Sequence, residues 1–127
     1  MIGEIGVFEQ LPHDAQAKIT VVRGDALTYT PDIPVDTLLA DIWMPINGDG
    51  REDQVRAMRA NTGASRVYFW GQEMVIARRA LVQGLPLNQE TVARIIADLG
   101  LPLIGSEWHD YPERVEKAAA RWLDKVR

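Results

Sequence analysis

The chain alternates between short apolar runs and longer stretches in which apolar residues recur every three or four positions. Residues 18–23, 37–41 and 66–70 are runs rich in Val, Ile, Leu and aromatics, each stopping in a small or acidic residue, Gly24, Asp41 and Gly71, and opening into a polar loop. Runs of this length and composition predict strands buried on both faces. Residues 5–8 form another such run, ending at Glu9, and residues 101–104 a further one in which Pro102 confines the strand to an edge or a start. The short interval between Glu9 and the next run leaves room for one or two helical turns, which Pro12 can begin.

Helical spacing fills the longer stretches. Val55 and Met58 mark a helix over 51–62 that Gly63 stops; Met74, Ala77 and Leu81 mark one over 72–83 that Gly84 stops. Val92, Ile95, Ile96 and Leu99 define a third over 89–99, with Asn88 as its N-cap and Gly100 as its stop. The last opens at Asp110-Tyr111-Pro112-Glu113 and runs to the carboxyl terminus, with Val115, Ala118, Ala119, Trp122, Leu123 and Val126 aligned. Residues 29–36, interrupted by Pro31 and Pro34, and the stretch from Pro45 through Asn47-Gly48-Asp49-Gly50 are irregular connections. The alternation predicts a single three-layer α/β domain over residues 1–127, a mainly parallel sheet of four or five strands flanked by about four helices. Ligands of such sheets bind beyond the carboxyl ends of the strands, where Asp25, Asp41 and Gln72 fall.

Composition narrows the function classes. With 127 residues, 46% apolar and 25% charged, the chain has the make-up of one ordinary globular domain. Its formal charge of −4 gives it no electrostatic reason to seek nucleic acid or an anionic membrane, and Arg56 with Arg59, like Arg78 with Arg79, reads as the solvated face of a helix. The absence of cysteine removes disulfides, thiolate metal sites and cysteine nucleophiles together, and His13 and His109 are too few for a His-rich metal site, so no metal is expected. No apolar run approaches the ~20 residues that span a bilayer, and no basic segment followed by a long apolar one opens the chain, so a cytoplasmic protein is the default expectation.

Three of the runs carry a family resemblance. Val21-Val22-Arg23-Gly24-Asp25-Ala26, then Val35-Asp36-Thr37-Leu38-Leu39-Ala40-Asp41-Ile42-Trp43, then Arg66-Val67-Tyr68-Phe69-Trp70-Gly71 resemble, in order and spacing, the third to fifth strands of class I S-adenosylmethionine-dependent methyltransferases. Ile5-Gly6-Val7-Phe8-Glu9 is similar to the preceding strand, which ends in an acid. The resemblance covers residues 5 to 82. It implies that Glu9 holds the ribose hydroxyls, that Asp25 and Ala26 meet the adenine, and that Asp41, followed by Trp43 and Pro45, faces the methyl group and its acceptor. A carboxylate only accepts hydrogen bonds, so it suits ribose hydroxyls and an exocyclic amine.

The family's first strand and Gly-rich turn have no counterpart ahead of Glu9; Gly3 and Gly6 lack the flanking strand and helix that would give their spacing meaning. The expectation is a domain shortened at its amino end, with weak or absent affinity for S-adenosylmethionine and an exposed sheet edge through which a homodimer can form. The alternative is a non-catalytic oligomerising or binding module on the same sheet.

Other constellations are less specific. Trp43 and Trp70 both follow strands and, with Gln72, can line a substrate cleft or simply pack a loop. Glu107-Trp108-His109-Asp110-Tyr111 reads as capping and anchoring of the terminal helix more readily than as a general base. Asn47-Gly48-Asp49-Gly50-Arg51 offers backbone amides near a helix start, but its two acids disfavour phosphate.

Overall fold

The computed structural model describes residues 10–42 and 50–122. The order of elements is α1 (His13–Lys18), β1 (Thr37–Ala40), α2 (Arg51–Thr62), β2 (Arg66–Phe69), α3 (Gln72–Gln83), α4 (Gln89–Leu99) and α5 (Tyr111–Trp122). The three central helices have the limits that their apolar spacing and glycine stops predict, and Asn88 caps α4 by accepting a hydrogen bond from the Thr91 N–H at 2.9 Å. The run over residues 5–8 lies outside the described residues, as do residues 43–49 and 123–127, the latter with Leu123 and Val126 of the expected terminal helix.

The sheet is a correction to the expectation. Instead of four or five strands it has two among the described residues, β1 and β2, paired in parallel with Leu38 opposite Val67 and Ala40 opposite Phe69. A third position exists only as a single bridge between Val67 and Leu103: the Val67 N–H donates to the Pro102 carbonyl at 2.9 Å, and the Ile104 N–H to the Val67 carbonyl at 2.8 Å. Pro102 has no N–H to extend that ladder, and Gly105 turns the chain away at once with φ +95. A Cβ on Gly105 would stand 3.3 Å from the Tyr111 ring, so this turn needs glycine for space as well as for conformation.

The run over residues 18–23 is no strand. α1 ends at Lys18, and residues 19–23 continue in no ladder, with Ile19, Val21 and Val22 42%, 42% and 48% exposed. Apolar β-branched residues favour a strand only when a neighbouring strand gives them a surface to pack on.

Burial explains why two strands suffice to organise the helices. Leu38, Ala40, Val67 and Phe69 share one face and join a single core with Val55 and Met58 of α2, Met74, Ile76 and Ala77 of α3, Val92, Ile95 and Leu99 of α4 and Val115 of α5. On the other face Thr37 and Arg66 are exposed, Tyr68 is half-buried, and Leu39 is 71% exposed. Over β1 that face has no covering layer among the described residues, which is unusual for parallel strands.

The charged side of α2 is not simply solvated either. Arg56 Nε donates to the Leu99 carbonyl at the end of α4 (2.8 Å), and Arg59 Nε to the Ala64 carbonyl in the connection from α2 to β2 (2.9 Å), so both arginines satisfy backbone groups that no helix or strand bond takes up. No helix among the described residues is long and apolar enough to cross a membrane.

This packing predicts opposite outcomes for two neighbouring apolar positions. Phe69→Ala is expected to lower the unfolding free energy by about 3–5 kcal/mol, and Leu39→Ser to change it by less than about 0.5 kcal/mol, measured by urea denaturation.

Candidate functional site at the carboxyl ends of the strands

β1 and β2 end side by side, held there by the Trp70 N–H, which donates to the Ala40 carbonyl at 2.9 Å. Asp41 is therefore adjacent to Trp70 and exposed at the mouth of the strand pair. Behind it lies Arg51, the first residue of α2 and 1% exposed. Its Nη1 donates to the Trp70 carbonyl at 2.9 Å, and its guanidinium stands 5.3 Å from the centre of the Trp70 ring. Burial and then the like charge of Arg78 push the Arg51 pKa below its ordinary value, while the Asp41 carboxylate works against that shift. Arg51 thus places a buried positive charge under an exposed carboxylate and an aromatic ring. A cavity of about 260 Å³ lies alongside, lined by Gly50, Glu52, Val75, Arg78, Arg79 and Val82 among others.

One residue further along, Gly71 takes φ 90 and turns β2 directly into α3. That tight turn points the Gln72 side chain back at the strands. Gln72 is 0% exposed: its Oε1 accepts from the Phe69 N–H at 3.2 Å, and its Nε2 donates to the Ile104 carbonyl at 3.1 Å and to the Tyr111 hydroxyl at 2.8 Å. The Tyr111 hydroxyl in turn donates to Glu73 Oε2 at 3.0 Å, and the Tyr68 hydroxyl to Glu73 Oε1 at 2.9 Å. A second, smaller cavity of about 160 Å³ adjoins this group, closed by Trp108 and by Arg114, whose guanidinium lies 5.0 Å from the centre of the Trp108 ring. Burial, reinforced by the negative charge of Glu73, raises the pKa of both tyrosines well above the ordinary phenol value.

No protein-family model, curated protein or solved structure matches this chain. The geometry stands on its own.

The residues singled out from the sequence divide between two ends of the molecule. Asp41, Trp70 and Gln72 gather at the carboxyl ends of the strands, Gln72 facing inward with its amide fully engaged. Asp25 and Ala26 do not join them. Asp25 Oδ1 accepts from the Leu27 N–H at 2.9 Å in a local turn, and the Leu27 carbonyl accepts from Asn61 Nδ2 at 2.8 Å, which ties this turn to the last turn of α2. Arg51 and Asn61 lie at opposite ends of that helix, whose 12 residues span about 18 Å. Asp25 and Ala26 instead border a shallow cavity of about 170 Å³ with Val22 and Tyr29. Glu9, Trp43 and Pro45 lie outside the described residues. His109 is exposed, and among the described residues no three His, Cys, Asp or Glu side chains group as metal ligands.

Four contributors were not assigned to the strand ends from the sequence: Arg51, Tyr68, Glu73 and Tyr111. The first reads as a loop-end charge, and the tyrosines as ordinary strand and helix residues; only the adjacent Gln72-Glu73 pair, polar side chains directly after a buried strand, signals that something there must be satisfied.

Gln72→Leu would strip partners from the buried Phe69 N–H and Ile104 carbonyl, with an expected loss of at least about 2 kcal/mol in chemical denaturation. The tyrosines predict an alkaline limit. Because their folded pKa values lie above the unfolded one, the stability they contribute is complete below about pH 10 and falls as pH rises beyond it. The melting temperature should decline above that pH, and Tyr68→Phe should flatten the decline.

Proposed function

We propose that the chain is a methyltransferase-like domain in which the carboxyl ends of β1 and β2 form the pole that receives the substrate. The observation that carries this reading is the exposed Asp41 carboxylate at the mouth of two parallel strands, backed by the buried Arg51 and the Trp70 ring. A carboxylate in that setting can accept a hydrogen bond from an acceptor hydroxyl or amine. Rate enhancement would come mainly from positioning the acceptor beside Asp41. S-Adenosylmethionine would be the methyl donor, and its affinity for this chain alone is low, because Asp25 and Ala26 stand at the far end of α2 and add nothing to contacts made at Asp41.

A second reading, a non-catalytic binding or oligomerising module, is favoured by a separate observation: the exposed Leu39 and the uncovered face of β1.

Thermal-shift titration with S-adenosylmethionine and with its demethylated product tests the enzyme reading. The expected result is a saturable stabilisation with a dissociation constant near ~1 mM, about 1.4 kcal/mol at tenfold excess, that Asp41→Asn diminishes. No shift at such an excess, or a shift that Asp41→Asn leaves untouched, overturns it.

A further inference from the structure

β1 ends the sheet that the described residues form. Among the described residues it pairs only with β2, and its other edge and one of its faces are open. The same chain holds a strand-like segment that belongs to no ladder, residues 19–22, with Ile19 extended at φ -111 and ψ 127. Each piece is four residues long, and the charges that bracket them are opposite. Asp36 and Asp41 flank Thr37-Leu38-Leu39-Ala40, whereas Lys18 and Arg23 flank Ile19-Thr20-Val21-Val22.

We propose that the open edge of β1 is a docking surface for residues 18–23 of a second copy of this chain, added as an antiparallel strand. The inference rests on the binding-module reading and not on the cofactor. In the matching register Lys18 lies opposite Asp41 and Arg23 opposite Asp36. Val21 then falls beside Leu38 and Ile19 beside Ala40, on the face that already leads into the core, while Thr20 and Val22 accompany Leu39 and Thr37. Antiparallel edge strands are common additions to parallel sheets.

Other occupants fit less well. Pairing β1 with β1 of a second copy would bring Asp36 and Asp41 of both chains to one seam with no basic residue between them. In its own chain, residues 19–22 lead into the turn that Asn61 ties to the far end of α2, and they lie on no strand. Reciprocal exchange between two copies gives each β1 a strand and closes the assembly as a twofold dimer.

Light scattering and sedimentation from micromolar to near-millimolar concentration read this directly. The native chain is expected to dimerise, more weakly at high salt. K18E/R23E and D36K/D41K are each expected to weaken the dimer by at least about tenfold when alone, and an equimolar mixture of the two is expected to form a heterodimer, since each then supplies the charge the other lacks. Circular dichroism establishes that the variants fold; should Asp41→Lys unfold the chain beside Arg51, R23E and D36K make the same paired test. A monomer at all concentrations overturns both this proposal and the self-associating form of the module reading. A dimer indifferent to both charge reversals, or no heterodimer on mixing, overturns the strand exchange while leaving oligomerisation standing.

Discussion

One side-chain amide holds the centre of this fold together. Gln72 accepts from the Phe69 N–H and donates to the Ile104 carbonyl, so it stands where a further rung of backbone would otherwise join β2 to a third strand. Backbone groups inside a protein must find partners, and here a glutamine on a helix supplies what an absent strand would. Its remaining N–H reaches Tyr111 and fixes the start of α5, and Glu73 next to it gathers Tyr68 and Tyr111. The turn at Gly71, the single bridge at Leu103 and the entry of the last helix are therefore consequences of one another. The polar cluster at the end of β2 is first a structural device, and any chemistry there has to work around groups already committed to each other.

β1 lives under a different constraint. It contributes Leu38 and Ala40 to the core but leaves Leu39 in solvent, so half of what its apolar run offers is unused within the chain. Exposed strand edges are a hazard that proteins restrain with charge, and the acids at either end of β1 serve that restraint against like strands while inviting a basic-flanked one. In the proposed exchange the two carboxylates that disfavour a like strand are also the ones that select a basic-flanked one.

Much of the helical architecture was legible in the residues. The glycines at 63, 84 and 100 and the asparagine at 88 act locally, through backbone conformation and a cap, and local signals survive without knowledge of the rest of the chain. The sheet was less legible, because a strand is a relation between distant segments. Residues 18–23 and 37–41 look alike as runs of Val, Ile and Leu, yet only the second finds a neighbour. Pro102 announced that the last strand would be curtailed, though not that Gln72 would replace its next rung. In the candidate site the order of residues put Asp25, Asp41 and Gln72 beyond the strand ends, and the structure sets Asp41 and Gln72 there beside Trp70. That order could not separate Asp25 from them, since that division arises from the Asn61 hydrogen bond to Leu27 across the fold.

That single hydrogen bond makes α2 a spacer of fixed length. With the 25–29 turn fastened near one end and Arg51 set beside Asp41 at the other, the two carboxylates belong to opposite ends of a helix about 18 Å long. A small molecule that engages one of them is out of reach of the other. Only something as long as the helix itself, such as an extended peptide or a second protein surface, can report on both ends at once.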